Sequence, residues 1–553
     1  MSSNENLISL IFPADLETPE ALEKKYPPRN LPDGAIVTRF APSPTGFIHI
    51  GGIYIAVIGM NITRHSKGVF FIRIEDTDQS RKVDDYKEQF DTTFKYFGVK
   101  PNEDDTNSVY GPFVQSARSK LYLSSIRKLM QDKRAYPCFC TKEMLEEQSK
   151  QQTAQKVDLG YYGDWAVCSR LSEDEAAQKI KAGEPYVIRF RCNGKDQMTE
   201  FDDVIRDKVK LKDNINDVVI LKSSTNELPL PTYHLAHAVD DHLMRANLIL
   251  RADEWLSSVP LHHQLFDALG FERIPYAHIS PIMKLDGNSK RKLSKRKDPE
   301  ASVTYYMEHG YPPQSVLVYL MGLANSSLLD ASIEDCLNST ISLSGMSKSG
   351  ALLDLVKLDH ISSNYVGDLS SEEIISQIQH WAAEYDTELA DILKDDVQYA
   401  CAVVNTDRFN NGKIRKDLFR WSDFKNIYGY FFDQYFAPIT STADERFAGV
   451  NTSAIKMVLA SFEANYNDNL NNDQWMEVIQ TVAKESGFAL NNQEFKRAPE
   501  QFHGKLSDAV RIVRIALTGN SNGLSLHEVC NTLGASRVKA RIASLRKVYN
   551  DVA

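Results

Sequence analysis

The chain has 553 residues, 42% of them hydrophobic and 25% charged, with a formal charge of −10. That composition suits a soluble globular protein of three or more domains and excludes a disordered or fibrous one. No apolar run reaches the ~20 residues of a membrane span, and an acidic body leaves nucleic acid only local basic patches to bind.

Residues 1–34 read as a leader. Its start, "MSSNENLISLIFPADLETPE", is acidic, with neither the basic n-region nor the Arg-rich amphipathic face of a targeting segment. "TPEALEKKY" predicts a short helix, and Pro-rich turns follow. A β-α-β unit comes next: "AIVTRF" is β-branched and apolar, "GGIYIAVIGMNITRHSKG" has helix length with glycine at both ends, and "VFFIRI" has the pattern of a buried strand. Residues from about 116 to 232 mix helices with polar strands, and "RANLILRADEW" predicts another sheet segment. From about 370 onward the pattern is almost wholly helical, as in "SSEEIISQIQHWAAEYDTELADILKDD" and "NTSAIKMVLASFEANY". There is no internal repeat. Seven cysteines, odd in number and scattered, argue for a reducing compartment over a disulfide framework.

Three stretches carry candidate chemistry. In "RFAPSPTGFIHIGG" a Pro-containing turn leads from a strand into a helix that begins with Gly51 and Gly52. Backbone N–H groups at such a helix start, with no Cβ in the way, suit a phosphate, and His49 would stand beside it as a donor. A plain strand-to-helix turn with a partly exposed histidine is the alternative. In "SKRKLSKRK", Lys292 and Lys295 sit three apart on a polar segment, suited to a triphosphate or to a merely solvated or RNA-binding face. A second basic run, "SRVKARIASLRK", occupies 536–547. Cys138 and Cys140 with Cys168 could form a cluster.

Taken in order, "RFAPSPTGFIHIGG", "FIRIEDTD", "QSARSKLY", "PTYHLAHAVDDHLM", "RADEWLSSVPLHHQLFDALG" and "KLSKRKDPE" resemble the bacterial-type glutamyl-tRNA synthetases, members of class I. The likeness runs from about residue 36, is strongest to about 325, and continues more loosely to "DAVRIVRIALTG". It implies an α/β fold: a Rossmann-type class I synthetase catalytic domain with an inserted acceptor-binding domain, followed by an all-helical anticodon-binding region. The expected boundaries are a leader at 1–35, a catalytic domain at 36–370 holding the insertion (about 116–232) and a stem-contact region, and a helical domain at 371–553. "KLDHISSNYV" departs from the aromatic-rich junction usual before that last domain.

The resemblance also implies ATP-dependent attachment of glutamate to tRNA(Glu) through a glutamyl-adenylate, with Mg2+ accompanying the ATP. A substrate with one ammonium and two carboxylates needs one acidic and at least two basic partners in a closed pocket. By the family pattern Arg39 and Arg251 face the carboxylates, Glu75 takes the ammonium, and Ser43 and Tyr233 complete the pocket. Thr45, His49, Gly51, Gly52 and Lys295 belong to the ATP site, and His49, Lys292 and Lys295 to catalysis. Glutaminyl relatives usually carry an acid at the place of Ser43 and an uncharged residue at that of Arg251, so both positions read as glutamate-type. Cys138, Cys140 and Cys168 with Tyr162 resemble a zinc site of some family members, although Arg170 stands where others have histidine; three ordinary reduced thiols are the alternative. A cytoplasmic monomer with no membrane contact is expected. A shorter relative that modifies a tRNA base would lack the roughly 180 residues after 370, and a noncatalytic RNA-binding homologue would not need His49, Glu75, Arg251 and Lys295.

Overall fold

The computed structural model describes residues 3–410 and 413–550. The chain forms two compact units: one reaches to Tyr306 and includes Val316–Leu355, and the other comprises Met307–Ser315 and the chain from Val356 onward. No described helix is long and apolar enough to cross a membrane.

The first unit opens with α1 (Ser3–Ile11) and α2 (Pro19–Lys25). The Thr18 side chain accepts the Ala21 N–H and proline fills the first position of α2, both good helix starts, so the expected short helix forms. α1 is an addition to the sequence reading. Its Leu7, with Phe12, Leu16, Leu22 and Tyr26, is buried in the main core, so this stretch is an integral part of the unit.

Next come β1 (Val37–Phe40), α3 (Ile50–His65) and β2 (Val69–Ile72), the expected β-α-β unit, with β1 and β2 parallel and Val37 opposite Val69. All four β1 residues are buried. α4 (Tyr86–Tyr96) and α5 (Ser119–Gln131) lead to β3 (Ala135–Cys138), α6 (Lys142–Gln155), α7 (Glu173–Lys181) and β4 (Val187–Phe190). Then follow β5 (Met198–Asp203), β6 (Asp207–Lys212), β7 (Val219–Leu221), α8 (Tyr233–Leu243), β8 (Ile249–Ala252), α9 (Val259–Leu269) and β9 (Tyr276–Ile279). The hairpin of β10 (Met283–Asp286) and β11 (Ser289–Lys292) completes the set that positions the site.

β3, β4 and β7 make a small antiparallel sheet of their own, in the stretch read as an insertion. β5 and β6 do not join it. They attach to the large sheet, in the order β6-β5-β9-β8, with β8 and β5 both parallel to β9. β1 meets β8 through the Asn247 and Leu248 N–H groups, which donate to the Val37 carbonyl, and through Thr38 Oγ1, which donates to the Leu248 carbonyl at 2.8 Å. Parallel strands β2, β1, β8 and β9 therefore end on one side, the edge where open α/β sheets hold their ligands.

The second unit is helical, apart from a short hairpin of Phe409–Asn410 and Lys413–Ile414 among its described residues. The long helical stretch after 370 divides into Ser371–Tyr385 and Thr387–Asp395, because Asp386 leaves helical geometry and its carboxylate accepts the Leu389 N–H as the cap of the next helix. The second basic run lies in Leu526–Asn550, which kinks at Gly534, where φ is 77°. Three of its arginines are already engaged: Arg537 and Arg541 with Asp433, and Arg546 with Glu463.

Candidate active site

The turn between β1 and α3 is built around His49. It is the N-cap of α3, and its Nδ1 accepts the Gly51 N–H at 2.9 Å. That bond fixes the neutral tautomer with the proton on Nε2, the donor expected beside a phosphate. Burial, then the Lys295 and Lys292 charges, bring the His49 pKa down to about 4, so the ring is neutral at pH 7. The glycines serve differently from the expectation. Gly51 gives its N–H to His49, and Gly52 gives its N–H to the His49 carbonyl at 2.7 Å. A Cβ on Gly52 would stand 2.9 Å from Ile48 Cγ2 and 3.3 Å from the Phe40 ring, so this glycine is required for the helix to lie against β1. Ser43 and Thr45 are exposed on the same loop, where the Thr45 N–H donates to the Ser43 carbonyl.

The lysine segment comes to this turn. Lys295 Nζ donates to the Phe47 carbonyl, and residue 49 bridges to Ser302. Lys292 ends β11 and its ammonium lies 2.6 Å from Glu254. The segment is less mobile than its polarity suggests: the Asp298 carboxylate accepts from both Arg291 nitrogens, at 2.6 and 2.7 Å, and from the Ser294 N–H. Asp298 is held far below the usual carboxylate range by Arg291 first.

Beside it, at the strand ends, lie Arg39 in β1, Glu75 just after β2, Tyr233 at the start of α8 and Arg251 in β8. Burial raises the Tyr233 pKa, with the charges of Arg251, Glu75 and Arg39 acting on the same hydroxyl, which accepts from Arg251 Nη1 at 3.2 Å. Arg39 is 2% exposed; its Nε donates to Asp241 at 2.8 Å and its Nη1 to the Leu250 carbonyl. Glu75 accepts from Arg73 Nη2 at 2.9 Å, and burial raises its pKa against the pull of Arg73 and Arg39. Arg73 also meets Asp241 and Asp240, and Arg118 Nε donates to Asp240 at 2.7 Å. This floor of buried ion pairs was not foreseen; its signal is "VDDHL", two acids within an otherwise buried helix.

Arg251 has a different setting. It is 5% exposed, and no carboxylate of the described residues lies within ion-pair distance of it. Its Nε meets His278 Nε2 at 3.0 Å, Nη1 meets the Tyr233 hydroxyl and His262 Nδ1 at 3.2 Å, and Nη2 donates to the Trp255 carbonyl. The guanidinium also lies over the Tyr276 ring, 4.5 Å from its centre. Around it, burial lowers the pKa of His234 to about 4 and that of His237 to about 3, and His262 falls well below its ordinary value.

Buried neutral imidazoles carry a stability consequence. A histidine whose folded pKa is depressed takes up its proton more readily when unfolded, so its contribution is present above pH ~6.5 and is lost as pH falls toward ~4. His49, His234, His237 and His263 all belong to this set. We expect urea-unfolding stability of the first unit to drop between pH 7 and 5 by about 1.4 kcal/mol per imidazole per pH unit at most. A flat profile there would contradict neutral imidazoles.

The cysteine cluster lies apart, on the small sheet. The sulfurs of Cys138, Cys140 and Cys168 lie within 4.8 Å of one another, with Cys140 and Cys168 3.6 Å apart. The tyrosine that joins them is Tyr161, not the expected Tyr162. The Tyr161 hydroxyl stands 3.4 Å from Cys138 Sγ and 3.3 Å from Cys140 Sγ, whereas Tyr162 turns away and donates to the Asp158 carbonyl. Hydrogen bonds from Cys140 and Cys168 pull the Cys138 thiol far below its usual range. Arg170 pairs with exposed Asp164 and takes no part.

Residues 35–360 match the family model described as tRNA synthetases class I (E and Q), catalytic domain, and residues 414–546 match an anticodon binding domain. A glutamate–tRNA ligase of Clostridium perfringens strain 13 is 40% identical over 550 residues, covering 98% of this chain and all of that protein. One from Acetivibrio thermocellus is 39% identical, covering 98% and 99%. In fold, a crystal structure of a glutamate tRNA ligase from Elizabethkingia meningosepticum superimposes with a TM-score of 0.75 at 24% identity, over 94% of this chain and 100% of that one.

Proposed function

The chain belongs to the class I tRNA synthetases for glutamate and glutamine, within them to the glutamate–tRNA ligases, and on that footing we propose a division of labour among the residues at its strand ends. The activity is the ATP-dependent, Mg2+-assisted attachment of glutamate to tRNA(Glu). In the first step the glutamate α-carboxylate attacks the α-phosphorus of ATP and the bond to pyrophosphate breaks. In the second, a terminal ribose hydroxyl of the tRNA attacks the acyl carbon and AMP leaves. Neither step needs a covalent enzyme nucleophile, so placement and charge stabilisation carry the acceleration.

Arg251 and the Nη2 edge of Arg39, which neither Asp241 nor Leu250 engages, take the two carboxylates. Glu75 takes the ammonium, and Tyr233 and Ser43 close the pocket. The His49 Nε2–H and Thr45 attend the phosphates, and Lys292 and Lys295 balance the charge that gathers on departing pyrophosphate. The observation that carries this reading is the buried Arg251 guanidinium with only neutral contacts, since a buried cation calls for an anion and glutamate brings one. The experiment is pyrophosphate exchange with and without tRNA, using glutamate against glutamine: exchange specific to glutamate supports the pocket, and equal exchange overturns it. All seven thiols are free, which fits work in a reducing cytoplasm.

A zinc ion is a further part of the proposal. A tetrahedral site with Zn–S bonds of about 2.3 Å has sulfurs about 3.8 Å apart, and the 3.6 Å between Cys140 and Cys168 fits that spacing. Cys138, Cys140 and Cys168 would hold the ion, with the Tyr161 hydroxyl as fourth donor, and the ion would supply a structural clamp. We expect about one zinc per chain in protein purified without chelators. Chelation is expected to lower aminoacylation while leaving ATP binding in place; zinc-free protein with full activity would reduce the cluster to buried thiols.

A further inference from the structure

Arginine has only donors, so a histidine nitrogen that faces it must accept. His278 Nε2 faces Arg251 Nε at 3.0 Å, and the His278 proton must therefore sit on Nδ1, which lies 2.6 Å from Asp203 Oδ2. The other carboxylate oxygen, Oδ1, accepts the Ile205 and Arg206 N–H groups at 3.0 and 2.9 Å. Burial raises the Asp203 pKa, but the His278 bond and these turn amides outweigh it and keep the group ionised. The result is a fully buried line of carboxylate, imidazole and guanidinium, running from the end of β5 through β9 to β8.

We propose that Asp203 and His278 are positioning residues for glutamate selection: the carboxylate fixes the imidazole tautomer, and the imidazole fixes the Arg251 guanidinium in the orientation that meets a carboxylate and leaves a neutral amide poorly matched. This rests on the pocket reading of Arg251. It explains why a strand pair inside the insertion stretch returns to the catalytic sheet. The β5–β6 hairpin carries Asp203 there, with Asp203 opposite Tyr276 at the β5–β9 junction. It also explains the choice of imidazole. A carboxylate placed directly on Arg251 would satisfy the cation and compete with the substrate, whereas His278 holds the guanidinium and leaves its charge for the ligand.

The ligand atoms make the variants specific. In Asp203→Asn the amide NH2 must face either His278, which moves the imidazole proton to Nε2 against the Arg251 donor, or the turn N–H groups. His278→Leu removes the acceptor, and His278→Gln returns an acceptor near the place of Nε2. The readouts are kcat/KM for glutamate, KM for ATP, and inhibition by glutamine, in tRNA charging by the full-length enzyme. We expect His278→Leu and Asp203→Asn to lower glutamate kcat/KM by roughly 10- to 100-fold, with KM for ATP within about twofold and the preference over glutamine narrowed. His278→Gln is expected to recover most of the loss. Glutamate kinetics within about threefold of wild type in both variants, or parallel losses for glutamate and ATP that His278→Gln does not rescue, would overturn the proposal. If His278→Leu does not fold, Asp203→Asn decides alone by the glutamine comparison. Arg251→Cys in the same assay separates the two readings: if it leaves glutamate kinetics intact the pocket assignment itself fails, whereas a large Arg251 effect with silent Asp203 and His278 variants refutes the brace only.

Discussion

Lys295→Ala is expected to slow glutamyl-adenylate formation by about 10²- to 10³-fold while glutamate KM changes little, because the lost charge acts where negative charge accumulates during the reaction. The Lys295 ammonium rests on the Phe47 carbonyl, a neutral acceptor that phosphate oxygens can replace. It has no carboxylate partner among the described residues, unlike Lys292, which pairs with Glu254. Lys295 is exposed and is thus the more available charge. Lys292→Ala is expected to cost less. The measurement is pyrophosphate exchange in the presence of tRNA; an unchanged kcat with a raised KM for ATP would make Lys295 a ground-state binder.

The second large effect is at Arg251. Replacing it with cysteine removes a cation that no carboxylate of the described residues neutralises, and on the proposed reading the glutamate carboxylate loses a charge-assisted partner worth about 1.5–3 kcal/mol. That corresponds to roughly a ten- to two-hundred-fold fall in kcat/KM for glutamate, and glutamine, with no charge to lose, should fall far less. Paired kcat/KM values test this, and an unchanged ratio of glutamate to glutamine would remove Arg251 from the selection step.

What was legible in the sequence, and what was not, follows from the range of the interactions. The β1-α3-β2 unit could be read because each of its elements is defined by neighbours in the chain. Tyr161 and Tyr162 could not be told apart, since the choice is made from a distance: the Tyr161 N–H donates to Asn216 Oδ1 and its carbonyl accepts the Asp217 N–H, which turns that ring inward and the next one out. Asp203 was invisible for the same reason, its partner His278 lying 75 positions away. For the basic run at 536–547 composition counts charges without their partners: Arg537 and Arg541 meet Asp433, and Arg546 meets Glu463.

The floor beneath the pocket has a consequence for how such a site can change. Arg39, Arg73 and Arg118 interlock with Glu75, Asp240 and Asp241, three cations against three anions in one buried network. Neutralising Arg73, Asp240 or Asp241 strands Glu75, Arg118 or Arg39 respectively, at a cost of roughly 3–5 kcal/mol, so those three positions change only together with their partners, a strong epistatic constraint. Arg251, held by neutral rings, is under no such obligation. A lineage or a designer seeking a new amino-acid specificity therefore has a single-step path open at the β8 wall of the pocket, and a rugged one at its base.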